Sequence, residues 1–348
     1  MPVDPHTIER ARHTLLPQLA AAYRAEPGAA NATLLGRCAW QCGEYDVALS
    51  AFADAHRHHP NAGTALALAR AASSLDRADL EAQALSTLDV ATPALDLHRA
   101  LCRAPSDVPG ALALVDAHPG DPACTEFAGV MRAIQTGRAL PLPAGAEPQV
   151  RARIASFNWV QAHAVDMGVH AGLPIEVLRR ALKAMPAGGL VLECGVYFGR
   201  SLRVIASHVQ GDVHGFDSFQ GLPEAWSASE PAGAYGTCGR MPAMPPKVQL
   251  HVGWFEQTLP AFLDRHEGPV RLLHVDCDLY SSTRTVLEAV GPRLVSGSIV
   301  VFDDLLGYPG YESHELRAWS EWTAVTGTPW HLLGASLLGR EVAIRIGS

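Results

Sequence analysis

The segment Leu190–Ser201, LVLECGVYFGRS, constrains the fold of this chain more than any other. It begins with an apolar run that is typical of a strand buried on both faces. Gly195 and Gly199 follow, and after Ser201 apolar residues recur at helical spacing. The pattern predicts a buried strand, a tight glycine turn and then a helix. Because the first N–H groups of such a helix face the turn, the unit can bind a polar or anionic group.

A second signal, in the next predicted strand, favours a nucleoside ligand. The strand Asp212–Phe216 is followed by Asp217, which lies 24 positions after Glu193. Nucleotide-binding βαβ units place an acidic residue about 20 positions beyond the glycine turn, where it accepts the ribose hydroxyls. Asp217 and Ser218 could also begin a turn, but the two signals together favour the nucleoside interpretation.

Composition and charge exclude several classes of protein. With 348 residues, 48% of them hydrophobic and 18% charged, the chain can form two globular domains. The net charge of −8 disfavours a nucleic acid as partner. No signal-peptide pattern and no apolar run of about 20 residues occurs, so we expect no membrane span. The seven cysteines form no C-x-x-C motif, and we predict reduced thiols and a cytoplasmic location.

Residues 1–140 are rich in alanine and leucine and predict an all-α domain. The window from Leu35 to Pro60 resembles the tetratricopeptide repeat, a helix–turn–helix unit of about 34 residues. The resemblance is looser in two later windows. Stacked units of this type bind proteins on a concave face, so we predict a protein partner for this domain. A helical cap or a dimerisation element is an equally compatible interpretation, and we expect a homo-oligomer.

Three prolines within residues 138–150 interrupt the helical periodicity. We place a linker at residues 141–150 and a second domain at 151–348. From Leu190 onward, short apolar strands alternate with helical stretches, and a closing hairpin is predicted near the C-terminus. These patterns predict an α/β fold with a doubly wound, mostly parallel, Rossmann-like sheet, preceded by the tetratricopeptide-like helical domain.

Acidic residues follow several of the predicted strands. They are Glu193, Asp217, Asp276 with Asp278, and Asp303 with Asp304. Ligands of doubly wound sheets bind at the carboxyl ends of the strands, so these side chains should share a cleft. Clustered carboxylates repel one another unless a cation compensates, and a divalent ion with oxygen ligands, magnesium first, meets that need. Helix capping is the alternative explanation for Asp278 and Asp304.

Three sequence blocks together resemble the macrocin O-methyltransferase family. They are Glu193-x-Gly195-Val196-aromatic-x-Gly199, Asp276-x-Asp278-x-Tyr280-x-Ser282-Thr283, and Asp303-Asp304 followed by Tyr308-Pro309-Gly310. Members of this family are class I enzymes that use S-adenosylmethionine and a bound magnesium ion to methylate sugar hydroxyls of natural products. The resemblance covers about residues 186–348. It does not cover the helical half, and that difference leaves the natural acceptor undefined.

The resemblance implies that Glu193, Gly195 and Gly199 frame S-adenosylmethionine, with Asp217 at its ribose. The full set of predicted cofactor contacts is Glu193, Gly195, Tyr197, Gly199, Ser201, Asp217, Ser218, Trp254 and Asp276. The resemblance also implies Asp276, Asp303 and Asp304 as magnesium ligands. An acceptor hydroxyl must lose its proton during transfer, and we predict Asp276 or His314 as the catalytic proton acceptor, with His274 as an alternative. The expected acceptor is a small molecule or a glycoside.

Three other functions compete with O-methylation. An N-methyltransferase would need no metal, which the clustered acids disfavour. A catalytically silent adaptor should have lost the strand-end acids, and they are intact. A dinucleotide oxidoreductase should carry G-x-G-x-x-G, but Tyr197 occupies the position of the second glycine.

Overall fold

The computed structural model describes residues 3–165 and 167–347. Its helices are α1 (Pro5–Arg10), α2 (Leu16–Ala25), α3 (Ala29–Gln41), α4 (Tyr45–His58), α5 (Ala62–Ser74), α6 (Ala78–Ser86), α7 (Pro93–Arg103), α8 (Val108–Asp116), α9 (Pro122–Thr136), α10 (Pro148–His163), α11 (Pro174–Ala184), α12 (Arg200–His208), α13 (Phe255–Leu263), α14 (Tyr280–Val290) and α15 (Glu315–Thr326). Its strands are β1 (His170–Ala171), β2 (Leu190–Cys194), β3 (Val213–Asp217), β4 (Val248–Val252), β5 (Val270–Val275), β6 (Leu294–Phe302), β7 (Trp330–Ser336) and β8 (Val342–Ile346). Within these described ranges, no helix has both the length and the hydropathy needed to cross a membrane.

The strands form one sheet in the order β1-β7-β8-β6-β5-β2-β3-β4. All neighbours pair in parallel except β8, which is antiparallel to both β6 and β7. The predicted doubly wound, mostly parallel sheet with a closing hairpin is therefore confirmed, and β1 is a short edge strand that the sequence pattern did not predict. The strand order reverses between β2 and β5, and ligands of such sheets bind at the carboxyl ends beside this point.

Apolar side chains fill the central strands. In β5, Val270, Leu272, Leu273 and Val275 are fully buried, and Ile299–Phe302 of β6 is buried beside them. Each such side chain stabilises the fold by about 1.5–3 kcal/mol through burial. The strand register places the ends of β2, β5 and β6 at one level, because Cys194 lies opposite Val275 and Val275 lies opposite Phe302. The residues that follow these strands therefore emerge close together.

The chain packs as two compact units that are not simple halves of the sequence. The first comprises the described residues up to His98, together with Val196–Val204 and Ser218–Pro245. The second comprises Arg99–Gly195, Ile205–Asp217 and the chain from Pro246 onward, and it holds the entire sheet. The linker predicted at 141–150 lies within the second unit. The boundaries of the predicted domains stay a prediction.

In the first unit, α3 and α4 pack closely through one small residue. A Cβ atom at Gly36 of α3 would lie 2.8 Å from Phe52 Cδ1 of α4, so a larger residue at this crossing would displace the ring. Ala39, Ala48 and Leu68 continue the buried core between the helices. The N-terminal part of the chain is therefore helical, as predicted. Its assignment to tetratricopeptide-like units stays a prediction.

Phe198, from the turn after β2, is buried among N-terminal helical residues of the same unit. Ile8, Cys42 and Tyr45 surround it. The guanidinium of Arg240 lies 5.0 Å from the centre of the Phe198 ring, and its Nη2 donates a hydrogen bond of 3.0 Å to the Cys42 carbonyl oxygen. These contacts explain why segments from the C-terminal half pack with the N-terminal helices.

The substitution Gly43→Ala should destabilise the protein by about 2–4 kcal/mol. Gly43 has a φ of +73°, and a Cβ there would lie 2.6 Å from Phe198 Cβ. The left-handed backbone costs a non-glycine residue about 1 kcal/mol, and forced overpacking typically adds about 1–3 kcal/mol. Urea denaturation followed by circular dichroism measures the loss.

Gly129→Ala is the matched control for this prediction. Gly129 lies inside α9, and a Cβ there would meet nothing within 4 Å. An alanine in a helix interior is more favourable than glycine by about 0.5–1 kcal/mol, so this variant should be at least as stable as the wild type. Equal denaturation midpoints for the two variants would contradict the role assigned to Gly43.

Candidate active site

Three strand ends converge at Gly195. Its φ is +93°, and a Cβ there would overlap the carbonyl oxygen of Asp276. The Gly195 N–H donates a hydrogen bond of 2.9 Å to the Phe216 carbonyl, and the Asp276 N–H donates one of 2.9 Å to the Cys194 carbonyl. Glycine is required here both by the left-handed backbone and by the close approach of the chain after β5.

Four of the predicted cofactor residues belong to the first unit. Tyr197 and Gly199 both have positive φ, +51° and +72°. Non-glycine residues in this region are uncommon and cluster at functional sites. Ser201 lies in the first turn of α12, and the buried Ser218 accepts a hydrogen bond of 3.1 Å from the Gln220 N–H through its Oγ.

Two further predicted cofactor residues lie at the end of β3 and shortly after β4. Asp217 ends β3 with a half-buried side chain, and its carbonyl accepts a hydrogen bond of 3.0 Å from the Gly253 N–H. Trp254 is half-buried and immediately precedes α13. Both residues stand at the carboxyl edge of the sheet, where the sequence pattern places them.

The acids that follow β5 and β6 form a cluster. Asp276, Asp278 and Asp304 each place one carboxylate oxygen within 4.8 Å of the other two. Asp303 follows β6 directly, and its N–H donates a hydrogen bond of 2.9 Å to the Val275 carbonyl. The structure therefore brings Asp276, Asp278 and Asp304 together, whereas Asp303 and Asp217 are not in this group of three, and the set of metal ligands stays a prediction. Asp278 lies in this group at a φ of +61°, and the N-cap residue of α14 is Leu279, without a side-chain cap hydrogen bond.

Glu193 and His274 form a buried pair beside this cluster. They are neighbours in the register of β2 and β5, with side chains 0% and 2% exposed, and Glu193 Oε1 lies 3.6 Å from His274 Nδ1. Ligand atoms of Glu193, His274 and Asp276 lie within 4.8 Å of one another. This depth favours a role for His274 in holding Glu193 and disfavours its alternative role as a proton acceptor.

The pKa values of two acids in the cluster are raised when no cation is bound. Burial, reinforced by the charges of Asp303 and Asp278, raises the pKa of Asp276 well above its usual range. Burial and the charge of Asp303 raise the pKa of Asp304 to about 6, against the opposing effect of Arg340. A hard divalent cation can neutralise these carboxylates, and a donor set made only of carboxylate oxygens fits magnesium.

Glu315 and Arg340 contact the cluster, and the sequence pattern did not mark either. Glu315 begins α15 with 0% of its side chain exposed, and its Oε2 accepts a hydrogen bond of 3.3 Å from the Asp304 N–H. Its Oε1 has no hydrogen-bond partner among the described residues. Arg340 Nη1 donates a hydrogen bond of 2.6 Å to Asp304 Oδ1. The neighbouring His314, a predicted proton acceptor, is half-buried.

Glu341 extends the acidic region into the hairpin between β7 and β8. Its Oε2 accepts hydrogen bonds of 2.7 Å from Ser336 Oγ and 3.0 Å from the Arg340 N–H. Burial, followed by the charge of Asp303, raises the pKa of Glu341 to about 7. The hairpin therefore brings one cation and one further carboxyl group to the acids that follow β6.

Residues 192–305, which include β2, the glycine turn and the Asp303–Asp304 pair, match the family model of a methyltransferase domain. This part of the chain is similar to methyltransferase domains. The match confirms the predicted class of enzyme. A curated relative of Streptomyces olivaceus, 8-demethyl-8-(2,3-dimethoxy-alpha-L-rhamnosyl)-tetracenomycin-C 4′-O-methyltransferase, is 26% identical over 184 residues, which cover 45% of this chain and 69% of the relative.

Solved structures of methyltransferases also resemble the chain. CalS11, a calicheamicin methyltransferase, is 21% identical and aligns over 66% of this chain and 94% of its own, with a TM-score of 0.41. The O-methyltransferase NovP is 19% identical and aligns over 65% of this chain and 99% of its own, with a TM-score of 0.39.

The substitution Glu341→Gln should make the metal-free protein relatively more stable as the pH rises. Below the usual glutamate pKa of 4.5, Glu341 is protonated in the folded and unfolded states, and glutamine resembles it. Because the folded-state pKa of Glu341 is raised to about 7, this group lowers the stability of the wild type between pH 5 and 8, and the variant lacks that contribution. The difference between the two free energies of unfolding should grow by on the order of 1–3 kcal/mol over this range.

Urea denaturation in excess chelator, at several pH values, tests this prediction. Glu267→Gln, which alters an exposed loop residue, is the control and should follow the wild type. Parallel pH profiles for the wild type and Glu341→Gln would contradict the assigned cause.

Proposed function

We propose that the enzyme transfers the methyl group of S-adenosylmethionine to a hydroxyl group of a sugar or glycosylated natural product, with magnesium bound at the acid cluster. The observation that carries the proposal is the convergence of Asp276, Asp278 and Asp304 within the region that matches the methyltransferase domain. The relative from Streptomyces olivaceus, whose name describes methylation of a sugar hydroxyl, supports the same chemistry. N-methylation needs no metal ion and would therefore not explain the acid cluster.

The cofactor would bind along the ends of β2, β3 and β5. Asp217 offers a carboxylate to the ribose hydroxyls, and Gly195 allows close approach of the backbone. The other proposed contacts are Glu193, Tyr197, Gly199, Ser201, Ser218, Trp254 and Asp276. Binding there would hold the methyl donor in line with an acceptor oxygen, and alignment of this kind supplies much of the rate enhancement.

Asp276, Asp303 and Asp304 are the proposed magnesium ligands, and Asp278 is a further carboxylate within reach of the same ion. When bound, magnesium lowers the pKa of a coordinated hydroxyl and orients it. Arg340 holds Asp304 in place through its hydrogen bond to Oδ1. The proposed acceptor of the hydroxyl proton is Asp276 or His314.

The helical half would serve contacts with other chains. The predicted domain at residues 1–140 offers helix pairs that can bind a protein partner or a second copy of the enzyme. We propose a homo-oligomer on this basis, and the free cysteines support the proposal of a cytoplasmic location. Light scattering coupled to size-exclusion chromatography measures the mass directly, and a monomer at micromolar concentration would contradict self-association.

The substitution Asp217→Ala should weaken cofactor binding by about 2–3 kcal/mol, because two hydrogen bonds to a charged group are lost. Calorimetric titration with S-adenosylhomocysteine should show a dissociation constant roughly 30- to 150-fold higher. Asp212→Ala, at the opposite end of the same strand, is the matched control, since Asp212 is exposed there. An unchanged affinity in a folded Asp217→Ala variant would remove Asp217 from the site.

Chelation should abolish methyl transfer and leave S-adenosylhomocysteine binding nearly intact, because the proposed metal ligands act on the acceptor. Adding magnesium in excess should restore turnover, and Asp304→Asn should raise the magnesium concentration needed for half-maximal activity. Full activity in excess chelator would overturn the metal-assisted mechanism and favour metal-free N-methylation.

A further inference from the structure

A cavity of about 520 Å³ lies within the second unit. Its wall is formed by α9, α10, the segment between them, and the hairpin of β7 and β8. The lining is mainly apolar and includes Val130, Ile154, Phe157 and Leu337. Small-molecule sites typically occupy 300–1,000 Å³ and have such a lining with a few polar groups.

The cavity and the acid cluster share part of their walls. Arg340 lines the cavity and donates a hydrogen bond of 2.6 Å to Asp304. Gly307, three residues beyond Asp304, lines it too. Its N–H donates a hydrogen bond of 2.8 Å to Ser156 Oγ, and its carbonyl accepts one of 2.6 Å from Gln149 Nε2. The segment after β6 and the hairpin therefore both line the cavity, and the hairpin also contacts the acid cluster through Arg340.

One buried polar group faces an otherwise apolar part of this cavity. His170 is 7% exposed, stacks on Phe157 with 5.4 Å between ring centres, and has no hydrogen-bond partner at Nε2 among the described residues. Burial lowers the pKa of His170 to about 4, so the imidazole is neutral at physiological pH. It can exchange one hydrogen bond with a polar substituent on an apolar ligand.

Among the described residues, the lining of the cavity offers no free cation for a diphosphate. Its guanidinium groups belong to Arg153 and Arg340, and each is paired with a carboxylate. Arg153 Nη1 lies 2.9 Å from Glu126 Oε2, and Arg340 Nη1 lies 2.6 Å from Asp304 Oδ1. Glu341 adds a further carboxyl group. A nucleoside diphosphate would bring at least two negative charges into a wall that cannot compensate them.

We propose that this cavity binds the apolar aglycone of a glycoside acceptor and thereby presents the attached sugar to the acid cluster. This inference rests on the proposed sugar methylation, which it makes more specific. The enzyme would act on a sugar already attached to its aglycone and would not act on a nucleoside diphosphate sugar. A glycosyl transfer must therefore supply the substrate.

Gly129 allows the cavity to be filled without strain. It lines the cavity from α9, and a Cβ there would meet nothing within 4 Å. Gly129→Trp places a large ring into the space, and Gly129→Leu is a milder variant that fills less of it. Gln135→Trp adds the same ring to an exposed position of the same helix and serves as the control.

The first test measures binding of Nile red, a neutral apolar dye, to the full-length protein. We expect saturable binding of one dye with blue-shifted emission, weakened at least tenfold by Gly129→Trp and changed less than twofold by Gln135→Trp. If Gly129→Trp does not fold, Gly129→Leu should still weaken binding measurably. Absence of saturable binding to the wild type, or equal binding by all variants, would overturn the assignment of the cavity.

The second test compares two acceptors that carry the same sugar. They are the rhamnoside of an apolar polycyclic aromatic aglycone and the corresponding nucleoside diphosphate rhamnose. We expect kcat/KM to be at least tenfold higher for the glycoside, and Gly129→Trp to lower that value at least tenfold, chiefly through KM. S-adenosylhomocysteine affinity should stay unchanged in this variant. Preference for the nucleotide sugar would overturn the inference and leave sugar methylation intact. If neither acceptor is methylated, sugar methylation itself is contradicted. The dye-binding result alone would then decide whether the cavity binds an apolar ligand.

Discussion

Electrostatic repulsion between carboxylates at the ends of β5 and β6 is the constraint on which the site depends. Asp276, Asp278 and Asp304 lie within 4.8 Å of one another and are largely removed from water. Arg340 compensates one of these charges, and retained protons or a cation must compensate the rest. The hairpin of β7 and β8 is therefore electrostatically tied to the site, because it supplies both Arg340 and Glu341.

The interior of the sheet also contains charged and polar side chains that cost stability. Glu193 and His274 occupy positions in β2 and β5 that apolar side chains would fill at lower cost. Their contact, 3.6 Å between Oε1 and Nδ1, offsets part of that cost and links the glycine turn to Asp276. Proteins commonly depart from local rules at functional sites in this way.

Much of this arrangement could be predicted from the sequence because it depends on local patterns. Apolar runs identify β2, β5 and β6, and parallel strands bring the acids that follow them to one edge of the sheet. Glu315 could not be predicted, since its role depends on how α15 packs beside Asp304. The cavity also depends on distant segments, α9, α10 and the hairpin, whose meeting has no signature in any one window. The division of the glycine turn between the two units could not be predicted from the sequence either, because Gly195 and Phe198 are only three residues apart.

The burial of Phe198 among the N-terminal helices has an evolutionary consequence. The turn after β2 takes its backbone conformation from its own glycines. It also carries Phe198, whose ring packs against Gly43 and Arg240. Exchange of the helical half for an unrelated domain would leave this ring exposed to water. The helices and the turn must therefore be inherited together, and recombination between related enzymes should preserve the pairing of Gly43 with Phe198.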